Sequence, residues 1–248
     1  MEILVTVSII LVLSVLGYAV YLGVQRKANR VAAAQKMTQL GTGLSRYISD
    51  NDGLLPKEDT DTGENSWEAA SRPESADAWF NALPSRAGGK GTGDYQKDGN
   101  TAAFYAKDSL LSLQGADYPK SKLRSPIYAF AFNTKLHRKD PKSGEKPRVK
   151  IGSIKVPART VALLEQGIKN EKRPMKGMKS YDGDDSKASG KQFVARWGEV
   201  GNIMFLDGHV ESVKAAQILE NNAGLRLRWT AGDTSGILWC PEPTEDPN

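Results

Sequence analysis

The chain is predicted to be an α+β protein in which one very long N-terminal helix packs on a small antiparallel β-sheet head. Three features predict it. Residues 3–24 contain no charged side chain. A stripe of apolar residues at helical spacing then carries the same helix, without a proline, to about residue 49. Farther on, short β-prone runs alternate with glycine- and proline-rich connections, and one pair of runs flanks an Asp-Gly turn.

The uncharged run of about 22 residues would extend roughly 33 Å as a helix, enough to cross the hydrocarbon core of a bilayer. Glu2 precedes it and Gln25, Arg26 and Lys27 close it. A cleaved secretory signal would begin with basic residues, and Glu2 stands in their place. Ala28, Val31, Ala32, Met37, Leu40, Leu44, Tyr47 and Ile48 form the stripe of the amphipathic part, residues 25–49. Ser49, Asp50, Asn51, Asp52 and Gly53, followed by Pro56, supply the break. The expected divisions are a helical segment 1–53, spanning the membrane over 3–24, a water-facing head 54–240 and a loose tail 241–248.

Within the head, residues 54–75 are acidic and turn-rich and read as a long surface loop. Residues 77–83 read as a short helix stopped by Pro84, with a flexible stretch over 85–93. Strands are expected at 127–132, 161–165, 225–229 and 237–239, and a short helix at 214–222 before Gly224. The most specific local expectation is a hairpin with Asp207 and Gly208 as a two-residue turn. Leu206 would then pair with His209, Phe205 with Val210 and Met204 with Glu211. Ile203, Phe205 and Val210 would share the buried face.

Composition limits the chemistry. One cysteine, Cys240, cannot form an intrachain disulfide, and with only two histidines the soft ligands for a zinc site are too few. The net charge of +5 is concentrated in Lys135, Arg138, Lys139, Lys142, Lys146, Arg148, Lys150 and Lys155, and in Lys169, Lys172, Arg173, Lys176 and Lys179. Both clusters read as solvated loops, with an anionic partner such as DNA, acidic glycan or lipid headgroups as the alternative. No phosphate loop, dinucleotide fingerprint or nucleophile elbow occurs, so no enzymatic activity is expected. Asp207 and His209 could be cast as an acid–base pair, but the turn already requires an Asp there.

Two stretches carry a family resemblance. Met-Glu-Ile-Leu-Val-Thr-Val-Ser-Ile-Ile-Leu-Val-Leu at the start resembles the N-terminus of type IV pilins and type II secretion pseudopilins. Residues 196–210, Arg-Trp-Gly-Glu-Val-Gly-Asn-Ile-Met-Phe-Leu-Asp-Gly-His-Val, resemble a processing-associated motif of bacterial pilin-like proteins: histidine, nine residues, then Asp-Gly. Asn202, Phe205, Asp207, Gly208 and His209 match it, while Trp197 stands where the first histidine would be. Tyr47 to Pro56 and the last ten residues resemble the family's helix exit and tail more loosely.

The resemblance implies a pilin-like fold and a structural subunit of a pilus or type II secretion pseudopilus, held in the inner membrane with its head in the periplasm. Its partners would be like subunits, other pilins or pseudopilins, membrane lipid and a prepilin peptidase. Glu2 would be the acid that pairs with a neighbour's N-terminal amine; the plainer reading is an acid favoured by the helix dipole at the headgroup level. The basic leader and Gly-Phe junction of that family do not precede Met1, so the resemblance places the natural start upstream. Arg26, Lys27 and Arg30 would by the positive-inside rule favour a cytoplasmic head, opposite to the family arrangement. No cofactor is expected, apart from weak calcium candidates at Asp182, Asp184 and Asp185, since some pseudopilins hold calcium in a C-terminal loop. The second reading is a membrane-tethered module that binds an anionic polymer without polymerising.

Overall fold

The computed structural model describes residues 2–119, 123–137, 147–168, 171, 185–220 and 226–248. One unbroken helix, α1 (Glu2–Asp50), makes up the first fifth of the chain. It is long and apolar enough to cross a membrane, and no part of its apolar window is covered by the head. Apolar side chains are exposed on every side of this half; Ile3, Leu13, Val15 and Val20 are each more than 60% exposed. The helix ends where the breaker residues stand. The Gly53 amide donates back to the Ile48 carbonyl at 2.9 Å, the Asn51 side chain to the Tyr47 carbonyl at 2.8 Å, and Asp52 turns left-handed at φ 52°.

The upper half of α1 is the spine of the core. Ala33, Met37, Leu40, Leu44 and Tyr47 are buried on one face. Ala28 and Val31, which the sequence stripe included, are exposed instead, and Ala33 takes the place of Ala32 in the core. The reason is phase: counting back from Met37 at 100° per residue, Ala33 stays on the buried face while Val31 turns away.

Among the described residues the head adds four short α-helices, α2 (Trp67–Ser71), α3 (Trp79–Arg86), α4 (Thr92–Lys97) and α5 (Ala215–Ile218). It also adds five strands, β1 (Phe130–Asn133), β2 (Val161–Glu165), β3 (Lys187–Ala188), β4 (Val200–Phe205) and β5 (Val210–Lys214). They form one sheet in the order β3-β1-β2-β4-β5. The α+β class therefore stands, but the sheet is mixed rather than antiparallel, because β3 joins β1 in parallel.

Both faces of the sheet are covered. Phe130, Phe132, Leu163, Met204 and Leu206 face α1 and α3, while Ala131, Val161, Leu164, Ile203 and Phe205 face the C-terminal segment around Trp239 and Leu227. In β2 both Ala162 and Leu163 join the helix-side core, because a bulge between Val161 and Leu163 interrupts the alternation.

Several local expectations are corrected. Residues 54–75 are not all surface loop: Leu55 is buried, and α2, capped by the Ser66 hydroxyl, buries Trp67 and Ala70. Pro84 lies inside α3 rather than stopping it, and the Phe80 carbonyl, which Pro84 cannot bond, accepts the Thr92 hydroxyl at 3.4 Å. The stretch 85–93 is tied down. Asn81 accepts from the Gly93 amide at 2.8 Å and donates to the carbonyls of Ala70 and Ser75. In place of the strands expected at 225–229 and 237–239, the described residues 226–229 and 237–239 hold single bridges, Leu227 to Leu219 and Leu238 to Thr160. The helix expected to run from 214 closes at Ile218, and residues 221–225 lie outside the described residues. The tail segment is bonded to the head, with Asn248 accepting from the Leu227 amide at 2.7 Å and the Pro243 carbonyl from the Trp229 indole at 3.2 Å.

Two glycines let the head touch the backbone of α1. A Cβ on Gly41 would lie 2.6 Å from the Gly208 carbonyl oxygen, and one on Gly43 would fall on the Leu83 carbonyl of α3. Gly43→Ala should therefore destabilise the full chain by about 1–3 kcal/mol in denaturant unfolding, since backbone cannot step aside as a side chain can. An unchanged midpoint would contradict the close approach.

Lys36 on α1 donates to the carbonyls of Ser109 and Ser112, each at 2.7 Å. Burial lowers its ammonium to about 8, opposed by the nearby Asp108 and reinforced by Lys107. A folded pKa below the ordinary 10.5 means that the folded state sheds this proton before the unfolded chain does. Stability relative to Lys36→Met should thus rise as pH goes from about 8 to about 10. A flat difference in unfolding free energy across that window would show that Lys36 is not desolvated.

Candidate functional site: the hairpin on the long helix

The motif residues converge on one structure, the β4–β5 hairpin lying against α1. Its turn differs from the expected one. Met204 pairs with Val210 and Ile203 with Glu211, one residue out of the expected register. The loop has three residues, Leu206, Asp207 and Gly208. The Gly208 amide donates to the Phe205 carbonyl at 2.9 Å, the Phe205 amide to the His209 carbonyl at 3.0 Å, and only Gly208 has a positive φ, 90°. This is the three-residue hairpin with glycine at the left-handed position. The shift changes the face of Val210, which packs on the helix-side core with Met204, while Ile203 and Phe205 stay on the opposite side.

The turn residues are engaged in structure. One Asp207 oxygen accepts the His209 amide at 3.1 Å and lies 2.6 Å from His209 Nδ1. The imidazole stacks on Phe205 with centroids 4.4 Å apart, and its Nε2 is 3.3 Å from Glu211. Glu211 in turn takes Arg159 at 3.0 Å. Gly208 rests on Gly41, so the tip of the hairpin touches the helix backbone directly.

Below the turn lies a buried ionic cluster that sequence reasoning missed. Glu165, at the end of β2, is fully buried. Its carboxylate accepts the Trp197 indole N–H at 2.9 Å, the Asn202 side-chain amide at 2.6 Å and the Asn202 backbone amide at 3.2 Å. Arg196 reaches it at 3.2 Å. Arg196 also grips Glu171 through two bonds, at 2.7 and 3.0 Å, and donates to the Gln166 carbonyl. Burial pushes the Glu165 carboxyl above the usual carboxylate range, and the charge of Arg196 and the N–H donors of Trp197 and Asn202 pull against it.

Asn202 joins this cluster to the long helix. Its amide also donates to the Arg30 carbonyl of α1 at 3.2 Å, while its oxygen accepts the Ser212 hydroxyl of β5 at 2.6 Å. Trp197, the departure from the resembled motif, is thus a buried hydrogen-bond donor to Glu165. A visible signal was the acid closing the apolar run Val-Ala-Leu-Leu-Glu165: a carboxylate at the end of a buried strand needs donors.

The remaining candidates fall elsewhere. Glu2 opens α1, and its side chain lies outside the described residues. Asp182 and Asp184 also lie outside them. Asp185 is far from ideal as an open ligand, since burial raises its carboxyl above the usual range and Lys187 faces it. Among the described residues no three His, Cys, Asp or Glu side chains converge on a metal position. Most of the basic clusters lie outside the described residues. Of their described members Arg148 is half-buried and bonded to the head: it meets the Tyr47 hydroxyl, Asp77 at 3.2 Å and the Leu55 carbonyl. No family model, curated protein or solved structure matches the chain.

Removing one member of the cluster should strand the others. Arg196→Met is expected to cost about 3–5 kcal/mol of unfolding free energy, because two buried carboxylates lose their cation. Trp197→Phe should cost about 1–3 kcal/mol through the lost indole donor. Chemical denaturation of the full chain measures both; an Arg196→Met variant as stable as the parent would refute the buried-charge account.

Proposed function

We propose that the chain is a structural subunit of a pilus or of a type II secretion pseudopilus, anchored in the inner membrane with its head in the periplasm. The observation that carries this reading is α1 itself, a single straight-through helix divided into an uncovered apolar half and a half docked on the head. A helix that is apolar all round has to be surrounded by lipid or by other helices. The same surface can therefore serve two states: solvated by acyl chains before assembly, and packed on like helices in a fibre. The rigid docking of the upper half supports this, since lifting the helix would carry the head with it.

The resemblance of the first residues supports Glu2 as the assembly acid. A carboxylate carried from water-rich headgroups into a bundle of apolar helices needs a cationic partner, and a neighbour's terminal amine supplies one. In the full-length protein of the native cell, Glu2→Ala should abolish filament or pseudopilus assembly, scored by electron microscopy and cysteine cross-linking between α1 helices. Membrane retention should be unchanged. Assembly at parental levels would remove Glu2 from this role, and protease mapping that found the head in the cytoplasm would remove the periplasmic reading.

A further inference from the structure

Where α1 leaves its apolar half, a cavity of about 810 Å³ separates it from the base of the head. Leu22, Gln25, Arg26 and Asn29 form the helix wall, and Lys107 stands on the head wall. From Leu22 to Asn29 is about 10 Å along a helix axis. The uncharged run ends at Val24, inside that interval. The polar headgroup layer of a bilayer is about 5–8 Å thick on each side, so a spanning α1 puts the cavity at headgroup level.

The lining chemistry suits an anion with an apolar body below it. Arg26 and Lys107 bring cations from opposite walls, against the single carboxylate of Glu199. Arg196 also lines the cavity, but its charge is held by Glu165 and Glu171. Gln25 and Asn29 add amide donors, and Leu22 gives an apolar floor. The volume falls within the range of ligand sites.

We propose that this cavity holds the phosphate of one anionic phospholipid between Arg26 and Lys107, with the acyl chains running down the uncovered face of α1. The proposal rests on the reading of α1 as a membrane anchor. Its consequence is a fixed distance between head and bilayer while the subunit waits in the membrane.

The test uses the full chain in zwitterionic micelles, titrated with short-chain phosphatidylglycerol or phosphatidylcholine and read by native mass spectrometry. One phosphatidylglycerol should bind in preference to phosphatidylcholine. Lys107→Gln should weaken that binding about fivefold, the weight of one cation at a lipid surface. Lys27→Gln removes a charge beside Arg26 on α1 but outside the cavity, where solvent screens it, and should leave affinity within about twofold of the parent. Equal binding of the two lipids, or equal losses in the two variants, would overturn the proposal. So would saturation of the site by glycerol phosphate or inorganic phosphate alone, which would make the ligand a soluble phosphate. Carbonate extraction of native membranes tests the anchor separately: a protein that stays in the membrane yet shows no preference for phosphatidylglycerol retains its anchor and lacks only this site.

Discussion

Everything else in this molecule depends on how closely the head approaches the backbone of α1. Half of that helix has no protein to cover it, so the other half must hold the head without help from the apolar surface below. Ordinary side-chain packing would keep the axes of neighbouring elements about 8–10 Å apart. Gly41 and Gly43 remove that spacing, letting the hairpin tip and α3 rest on the helix itself. A contact between backbones cannot be repacked by rotamer changes, so it fixes the position of the head along the rod.

The polar cluster around Glu165 sets the rotation that the glycines leave open. Apolar burial is non-directional, and a stripe of Met37, Leu40 and Leu44 would tolerate small turns of α1 about its axis. The Asn202 amide does not tolerate them, because it bonds the Arg30 carbonyl and the Glu165 carboxylate together. Charge burial is expensive, and this cluster is satisfied only when β2, β4 and α1 are all in place. At the far end of the docked half, Tyr47 is held by Arg86 over its ring, 4.6 Å from the centroid, and by Arg148 at its hydroxyl. The helix is thus held in height, in rotation and at its tip by different kinds of interaction.

The elements that could be read from the sequence were those with one dominant local signal. An uncharged run, a breaker cluster and a short apolar stretch gave α1, its end and β2 nearly to the residue. The hairpin was found but its register was not. Asp-Gly fits both a two-residue turn with two left-handed residues and a three-residue loop with one, and packing of Gly208 on Gly41 selects the second. The short helices α2 and α4 hid in glycine- and acid-rich segments, where tertiary contacts such as the Asn81 side chain override weak local preference. The parallel β3 strand has two residues, too few for any periodic pattern. Of the ionic cluster only the acid closing the β2 run was legible; its partners Glu171, Arg196 and Asn202 meet Glu165 only through the fold.

The position of Trp197 narrows what the hairpin can do. An indole nitrogen donates one hydrogen bond and accepts none, so it cannot bind a metal or take up a proton. Its bond to Glu165 uses that one donor. Such a role is structural: it gives the buried Glu165 carboxyl at the end of β2 a hydrogen-bond donor beneath the hairpin, while Asn202 reaches across to the long helix.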